Sequence, residues 1–140
     1  MKLFVDTWGW LTLRDKGESR HEEVKSFYWR FRHEKGSIYT SDYVIDETIT
    51  LLFKRLPFDI AKESLVKIDE AIEEGYIRFE WITSERFEKA KTMRKKYQDK
   101  PGISFTDFTS MTVMKELGVS DVLTADEHFE HVGMGFQNRP

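Results

Sequence analysis

The stretch LFVDTWGW, residues 3–10, places an acidic residue directly after a short apolar run. Apolar runs of this length are typical of strands that are buried on both faces of a parallel sheet. Two tryptophans follow Asp6 within four positions, so the chain does not return to a polar surface there. Because an unpaired carboxylate is costly to bury, Asp6 indicates a site where its charge requires a partner.

Strand-like and helix-like segments alternate along the rest of the chain. The predicted strands cover residues 2–6, 37–41, 76–81, 121–125 and, at an edge, 133–136. The predicted helices cover residues 19–32, 43–55 with Asp42 as N-cap, 57–75, 84–97, 104–118 and a stub at 126–130. This alternation predicts a single α/β domain over residues 1–140, with a mainly parallel sheet of about five strands and helices on both faces.

The composition is that of a globular domain, since 39% of the 140 residues are hydrophobic and 34% are charged. There is no cysteine, which excludes disulfides, thiolate metal sites and cysteine nucleophiles. The N-terminal apolar run is too short for a signal peptide and no later segment resembles a membrane span, so we expect a cytoplasmic protein with no membrane partner. The net charge of −3 does not by itself indicate a nucleic-acid binder.

Positive charge is concentrated in one segment, and phosphate contacts depend on such clusters rather than on totals. The seven cationic residues of segment 86–100 are Arg86, Lys89, Lys91, Arg94, Lys95, Lys96 and Lys100. A solvated helix face is the simpler explanation of this cluster. With Arg14, Lys54 and Arg55 it supplies candidate contacts to phosphate groups, but the sequence identifies no individual substrate-binding residue.

A second apolar run, VLTAD, also ends on an acid, Asp126. If both runs form central parallel strands, Asp6 and Asp126 emerge at the same edge of the sheet. In open parallel sheets, ligands bind beyond this edge, where the strand order reverses. The two acids are therefore predicted to lie together although 119 residues lie between them in the sequence.

Asp107 is a third candidate, in the first turn of the helix that Ser104 or Thr106 opens. Ser104-x-x-Asp107 resembles a capping box, and an acid near a helix N-terminus also interacts favourably with the helix dipole. Asp6 and Asp126 are likewise suited to capping the turns that follow them. Helix capping is thus an alternative explanation for all three acids.

Glu47 is a fourth candidate, on the helix after the second strand. At helical spacing it shares a face with Val44, Thr48 and Leu51, so we expect it to face the core and to need a partner. Its neighbour Asp46 points about 100° away and is predicted to be solvated.

Carboxylates that converge without cationic side chains repel one another unless a divalent cation lies among them. No Lys or Arg recurs beside these acids in the sequence. Oxygen ligands select Mg²⁺ or Mn²⁺, whose coordination is completed by waters and substrate phosphate oxygens. The predicted chemistry is metal-assisted hydrolysis of a phosphodiester, in which the ion lowers the pKa of a water and stabilises charge on the phosphate.

Four segments together resemble a known family. They are LFVDTWGW at the N-terminus, SDYVIDETITLL after the second strand, SFTDFTSMTVMKELG before the fourth strand and VLTADEHFEHVGMGF near the C-terminus. In this order, and across essentially the whole chain, they are similar to the PIN-domain ribonucleases and specifically to the VapC-type toxins. The resemblance implies a PIN-like three-layer fold and an Mg²⁺- or Mn²⁺-dependent endoribonuclease that hydrolyses RNA.

The resemblance also implies roles for single residues. The family's four catalytic and metal-binding acids correspond to Asp6, Glu47, Asp107 and Asp126, and Thr106 corresponds to an auxiliary polar position near the metal. Family members of this type form homodimers and are neutralised by a small antitoxin. The implied partners are therefore an RNA substrate, an antitoxin and a second copy of the chain.

Two alternatives remain open. One is a non-catalytic α/β interaction module whose acids only cap helices, and the other is a PIN-type nuclease that acts in RNA processing without an antitoxin. A zinc site formed by His128 and His131 is disfavoured, because the HFEH segment is short and no third nitrogen ligand is predictable.

Overall fold

The computed structural model describes residues 1–140 as one five-stranded sheet with seven helices. The strands are β1 (Lys2–Val5), β2 (Ser37–Ser41), β3 (Ile77–Glu80), β4 (Asp121–Leu123) and β5 (Gln137–Arg139). The helices are α1 (Thr7–Arg14), α2 (His21–His33), α3 (Asp42–Arg55), α4 (Phe58–Glu73), α5 (Ser84–Lys96), α6 (Phe105–Leu117) and α7 (His128–His131). The predicted α/β fold with a parallel sheet is confirmed.

All neighbouring strands are parallel, in the order β3-β2-β1-β4-β5. The chain moves in one direction along the sheet from β1 to β3, and then returns across it to β4. Since parallel crossovers are right-handed, α1 to α4 cover one face and α5 and α6 cover the other. The direction reverses between β1 and β4, so the crevice typical of ligand binding lies between the carboxyl ends of these two strands.

Apart from their first residues, Lys2 and Asp121, strands β1 and β4 are completely buried. Leu3, Phe4 and Val5 of β1 have no exposed surface, and neither do Val122 and Leu123 of β4. Helices cover both faces of the sheet, which is why these runs are continuously apolar instead of alternating. Residues that follow the two strands are therefore held at the end of the buried centre of the sheet. No helix is both long enough and apolar enough to cross a membrane.

Helix α1 follows β1 almost without a loop and was not predicted from the sequence. Six of its eight residues are buried, so it lacks the polar face that makes a helix recognisable in a sequence. A Cβ at Gly9 would lie 2.7 Å from the carbonyl oxygen of Leu123 and 2.9 Å from Cγ1 of Val5. Glycine at this position allows α1 to pass directly over the carboxyl ends of β1 and β4.

The predicted N-cap of α3 was wrong by one residue. Ser41 caps the helix by accepting a hydrogen bond from the backbone N–H of Val44 at 3.2 Å. Asp42 is the first helical residue, and its carboxylate accepts from the backbone N–H of Ile82 at 2.7 Å. Asp42 thus ties the start of α3 to the segment after β3.

The predicted edge strand at residues 133–136 was also wrong, since β5 covers Gln137–Arg139. Gly133 and Gly135 have φ angles of +74° and +86°, which lie outside the region that a strand requires. The glycines form the turn before the strand.

Candidate metal centre

Asp6 lies at the junction of β1 and α1 and is only 7% exposed. It occupies the N-cap position of α1, yet its side chain makes no capping hydrogen bond. The hydroxyl Oγ1 of Thr124 instead donates to Asp6 Oδ2 at 3.0 Å. Helix capping therefore does not explain why this carboxylate is buried at the carboxyl end of the central strand.

Thr124 connects two of the candidate acids. Besides donating to Asp6, its Oγ1 accepts a hydrogen bond from the backbone N–H of Asp126 at 3.1 Å. Thr124 is 2% exposed and follows β4 directly. The sequence did not single it out, although its place two residues before the acid in VLTAD was the available signal.

Asp107 lies in the first turn of α6 and forms the predicted capping box with Ser104. Its backbone N–H donates to Ser104 Oγ at 3.0 Å, and its Oδ2 accepts from the backbone N–H of Ser104 at 3.3 Å. The capping bonds fix the orientation of the Asp107 carboxylate. They do not neutralise its charge, and the residue is only 8% exposed.

Asp126 lies in the turn between β4 and α7, beside Asp107. Its Oδ1 accepts from the backbone N–H of His128 at 2.9 Å, so Asp126 does cap the turn that follows it. Nδ1 of His128 lies 3.1 Å from Asp126 Oδ1 and 3.7 Å from Asp107 Oδ2. Asp107, Asp126 and His128 each offer one ligand atom, and these atoms lie within 4.8 Å of one another.

The electrostatics of this cluster favour a bound cation. Burial raises the pKa of Asp6 to about 7, and the negative charge of Asp107 adds to the rise. Burial, followed by the charge of Asp126, raises the pKa of Asp107 to about 6. No Lys or Arg forms an ion pair with these acids, and His128 is their only basic neighbour within ion-pair distance. A divalent cation would relieve the cost of keeping these groups charged.

Glu47 was predicted to face the core, but this prediction is wrong, because its side chain is exposed. The buried stripe of α3 consists of Val44, Ile45, Thr48 and Leu52. At about 100° per residue, Glu47 lies beyond the margin of this stripe. Asp46 is exposed, as predicted. The group of ligand atoms within 4.8 Å of one another includes neither Glu47 nor Asp6. Asp6 lies near the group, since the charges of Asp107 and Asp126 raise its pKa.

Thr106 directly precedes Asp107 and is half-buried. Its backbone carbonyl accepts a hydrogen bond from Thr109 Oγ1 at 2.6 Å. The residue lies in the same first turn of α6 that carries Asp107, so its predicted auxiliary role stays a prediction.

The model of the PIN domain family matches residues 3–134. The chain belongs to the PIN-domain family. This PIN domain is 27% identical over 132 residues to the 23S rRNA-specific endonuclease VapC20 of Mycobacterium tuberculosis (strain H37Rv), with 94% of each chain covered.

Two solved structures share the fold of this PIN domain. The crystal structure of Mycobacterium tuberculosis VapC20, a sarcin–ricin loop cleaving toxin, matches with a TM-score of 0.77 and 31% identity, over 94% of this chain and 95% of that chain. VapBC2 from Rickettsia felis, bound to a promoter DNA fragment, matches with a TM-score of 0.72 at 11% identity, over 99% and 98% of the two chains. The predicted PIN-like fold and the resemblance to VapC proteins are confirmed.

The donor set of this PIN domain fits a divalent cation. Its carboxylate oxygens are the ligands that Mg²⁺ and Mn²⁺ take in proteins. In addition, the Nδ1 atom of His128 is buried at ion-pair distance from Asp107 and Asp126 but forms no hydrogen bond. Since buried polar atoms are nearly always paired, an unpaired nitrogen beside two carboxylates is consistent with a position for a cation. His131 is not in this group; its side chain is 63% exposed and its Nε2 lies 4.0 Å from Glu127 Oε2.

Two arginines of the basic segment are committed to internal contacts. Arg86 donates to the carboxylates of Glu80 and Glu116 and has a side chain that is only 12% exposed. Arg94 donates to three backbone carbonyls, those of Tyr97, Lys100 and Ile103. Neither guanidinium is therefore free to hold an RNA backbone.

The lysines of the same segment fall into two groups. Three of them form exposed or partly exposed ion pairs: Lys89 with Glu85, Lys91 with Glu88 and Lys100 with Asp99. Lys95 and Lys96 are exposed and form no ion pair, and the same holds for Lys54 and Arg55 at the end of α3. These four residues remain the available candidates for phosphate contacts.

Arg14 belongs to a different region. It lines a cavity of about 350 Å³ between α1, α2, α4 and the start of β3. None of the four candidate acids lines this cavity. Its Nε donates to Ser64 Oγ at 3.1 Å, which leaves Arg14 with a packing role beside α4.

Proposed function

We propose that this PIN domain is an Mg²⁺-dependent or Mn²⁺-dependent endoribonuclease that hydrolyses RNA phosphodiester bonds. Asp6 is the observation that carries the proposal. Its carboxylate is buried, caps no helix with its side chain and has only the Thr124 hydroxyl as a side-chain partner. Burying a charge in this way is costly unless a cation neutralises it, so a metal site accounts for Asp6 where a purely structural role does not.

In this proposal Asp6, Asp107 and Asp126 hold the ion, directly or through waters. When bound, a divalent cation supplies an activated water and neutralises charge that develops on the phosphate oxygens. Thr124 positions Asp6 by its hydrogen bond to Oδ2, and the Ser104 capping box positions Asp107. The resemblance to the family adds Glu47 and Thr106 to the proposed catalytic and metal-binding set.

The proposed reaction adds water across the bond between phosphorus and the 3′ oxygen of the RNA. The water oxygen stays on the phosphorus, the bond to the 3′ oxygen breaks, and a proton passes to that oxygen. The expected products carry 5′-phosphate and 3′-hydroxyl ends.

We propose 23S rRNA as the first substrate to test. VapC20, which is 27% identical to this chain over 94% of both proteins, is a 23S rRNA-specific endonuclease. We take a structured RNA loop as the proposed target, because proteins generally recognise RNA loops by shape and by splayed bases rather than by reading a helix. The exposed cations at Lys54, Arg55, Lys95 and Lys96 are proposed to contact its backbone.

We further propose that the protein is the toxin of a toxin–antitoxin pair and that it forms a homodimer, as its resemblance to VapC-type toxins implies. A small antitoxin that brings an arginine to the acids would replace the cation by a charged, bidentate partner. Co-purification with a small protein encoded beside it supports this role. Purification as a free, active nuclease from its own host favours the alternative of RNA processing without an antitoxin.

Cleavage of RNA by tag-free protein tests the proposed activity. Total RNA and intact ribosomes are incubated with Mg²⁺, with Mn²⁺ or with chelator, using wild type, Asp6→Asn and the matched control Asp46→Asn, whose carboxylate is exposed outside the cluster. We expect cleavage by wild type and Asp46→Asn only when metal is present, and a loss of at least ~100-fold in Asp6→Asn. Cleavage that survives chelation or the Asp6 substitution contradicts the metal-nuclease proposal. Absence of cleavage, with equal cation binding by all three proteins, favours the interaction module.

A further inference from the structure

We propose that His128 is a nitrogen ligand of the ion held by the acids, and that it makes this site prefer Mn²⁺ over Mg²⁺. The inference rests on the proposed function, because it concerns the ion of the same site. It departs from an all-oxygen site by adding one imidazole to the carboxylates.

The position of Nδ1 is the main evidence. The atom lies 3.1 Å from Asp126 Oδ1 and 3.7 Å from Asp107 Oδ2. It is buried on the inner edge of the ring, while the side chain as a whole is 38% exposed. The distance from Nδ1 to Asp126 Oδ1 is within hydrogen-bonding range, but the relative orientation of the two groups does not form a hydrogen bond. Asp126 Oδ1 already accepts from the backbone N–H of His128. The nitrogen thus lies within ion-pair distance of two carboxylates without a hydrogen bond to either.

A shared cation explains this arrangement better than a packing role does. A buried nitrogen without a hydrogen bond costs free energy, and natural proteins seldom retain such a group without a use for it. The ligand atoms of Asp107, Asp126 and His128 all lie within 4.8 Å of one another, which is the spacing of groups around one ion. The neutral ring coordinates through the lone pair of Nδ1 when Nε2 carries the proton.

The ring is held in place by two separate parts of the fold. On one side, α7 is anchored by Phe129, which has no exposed surface. On the other side, a Cβ at Gly102 would lie 3.4 Å from Nε2 of His128, so the loop between α5 and α6 packs against the ring. Arg94 fixes this loop by donating to three of its carbonyls. The imidazole is therefore preorganised at the site, as a ligand requires.

The chemistry of imidazole gives the expected selectivity. Mg²⁺ is a hard ion that prefers oxygen ligands in near-ideal octahedral geometry, whereas imidazole nitrogen is bound better by first-row transition metals. One nitrogen in place of a water therefore favours Mn²⁺ over Mg²⁺. Nearby His131 is the matched control, since it lies in the same short helix but its side chain is 63% exposed and outside the cluster.

Electron paramagnetic resonance of bound Mn²⁺ tests this proposal without an activity assay. Tag-free wild type, His128→Ala and His131→Ala are loaded with Mn²⁺, and pulsed spectra are recorded for coupling to ¹⁴N. We expect ¹⁴N coupling in wild type and His131→Ala, its loss in His128→Ala, and its change to ¹⁵N coupling in wild type grown on ¹⁵N-histidine. The ratio of Kd for Mg²⁺ to Kd for Mn²⁺ should fall roughly ten-fold in His128→Ala only.

Three outcomes overturn the inference. They are bound Mn²⁺ without ¹⁴N coupling in wild type, coupling that persists in His128→Ala, and an equal loss of affinity for both ions in that variant, which would mean that the ring only supports Asp126. The wild-type and isotope measurements need no variant, so they remain decisive if His128→Ala does not fold. Failure of wild type to bind either ion contradicts the proposed metal-dependent function itself, which distinguishes the two failures.

Discussion

At the scale of single residues, Asp6 has an unusual effect on stability. Its pKa in the folded protein is about 7, above the ordinary value of 3.8, because burial disfavours the charged form. Between these two values the folded state binds more protons than the unfolded state, so the free energy of unfolding falls as pH rises. The stabilising contribution is fully present below pH 3.8 and is lost as pH rises through about 7. Most buried salt-bridged aspartates have the opposite dependence.

This dependence predicts that Asp6→Asn stabilises the metal-free protein at pH 8. Asparagine keeps the size of the side chain but carries no charge, so the cost of a buried carboxylate is removed. We expect the free energy of unfolding in chelator, measured with urea, to rise by about 1–3 kcal/mol at pH 8 and to change much less at pH 5. Asp46→Asn, at an exposed position, should have no effect. A variant that is less stable than wild type at pH 8 refutes this account of Asp6.

Some site residues were predictable and others were not, for physical reasons. Asp6 and Asp126 could be recognised because each follows an apolar run, and parallel strands bring such residues to one edge. Thr124 could not, because its role depends on hydrogen-bond directions. His128 was considered only as half of a disfavoured zinc pair, because the orientation of its ring toward Asp107 and Asp126 cannot be read from the sequence. The burial of Glu47 was predicted wrongly, since the margin of a helical stripe cannot be located from spacing alone.

At the scale of elements, α1 links the fold to the site. The helix passes over the ends of β1 and β4 only because Gly9 has no side chain there. We expect Gly9→Ala to push α1 away from Leu123 and to lower the free energy of unfolding by about 1–3 kcal/mol. Urea denaturation measures the loss, and Mn²⁺ affinity should fall with it because Asp6 begins this helix. Gly17→Ala is the control, since an added Cβ meets only the flexible Asp15 carboxylate.

One result for Gly9→Ala would contradict the proposed role of Gly9. A variant with wild-type stability and wild-type Mn²⁺ affinity would show that the close contact between α1 and β4 does not position Asp6.

The loop between α5 and α6 depends on a single arginine. Arg94 donates to the carbonyls of Tyr97, Lys100 and Ile103, at 2.7 to 2.9 Å. Arg94→Met keeps much of the apolar stem but leaves three carbonyls without their donor. We expect a loss of about 1–3 kcal/mol in thermal or urea unfolding, against no loss for Lys95→Met on the exposed side of α5. Equal stability of the two variants would contradict this structural role.

Elements were more predictable than their ends. The alternation of strands and helices identified the parallel sheet, because the central strands are continuously apolar and most helices have one apolar face. Helix α1 escaped prediction because it is buried nearly all round. The edge strand was misplaced because β5 is short and its sequence, Gln137–Arg139, is polar.

At the scale of the whole molecule, the sheet topology creates the site. The strand order reverses between β1 and β4, and three segments far apart in sequence place Asp6, Asp107 and Asp126 at that point. Charge repulsion among these carboxylates lowers the free energy of unfolding of the metal-free protein. A cation that binds only the folded state offsets this loss.

Metal binding should therefore stabilise the folded protein. At a concentration of 100 times Kd, Mg²⁺ or Mn²⁺ is expected to raise the free energy of unfolding by about 2.7 kcal/mol. Binding near pH 6.5 should also release protons, because the pKa values of Asp6 and Asp107 are about 7 and about 6 without metal. Calorimetry in buffers of different ionisation enthalpy measures this release. A metal-independent melting temperature would contradict the account.

The chemical ends of the cleaved RNA test the central claim most directly. Ribosomal RNA is treated with wild type in Mn²⁺, in Mg²⁺ or in chelator, and adapters are ligated to the new ends. A metal-dependent hydrolase is expected to leave 5′-phosphate and 3′-hydroxyl ends at defined positions, only when metal is present and not with Asp6→Asn. New ends that carry 5′-hydroxyl and cyclic phosphate groups, or that form in chelator, would contradict the proposed chemistry.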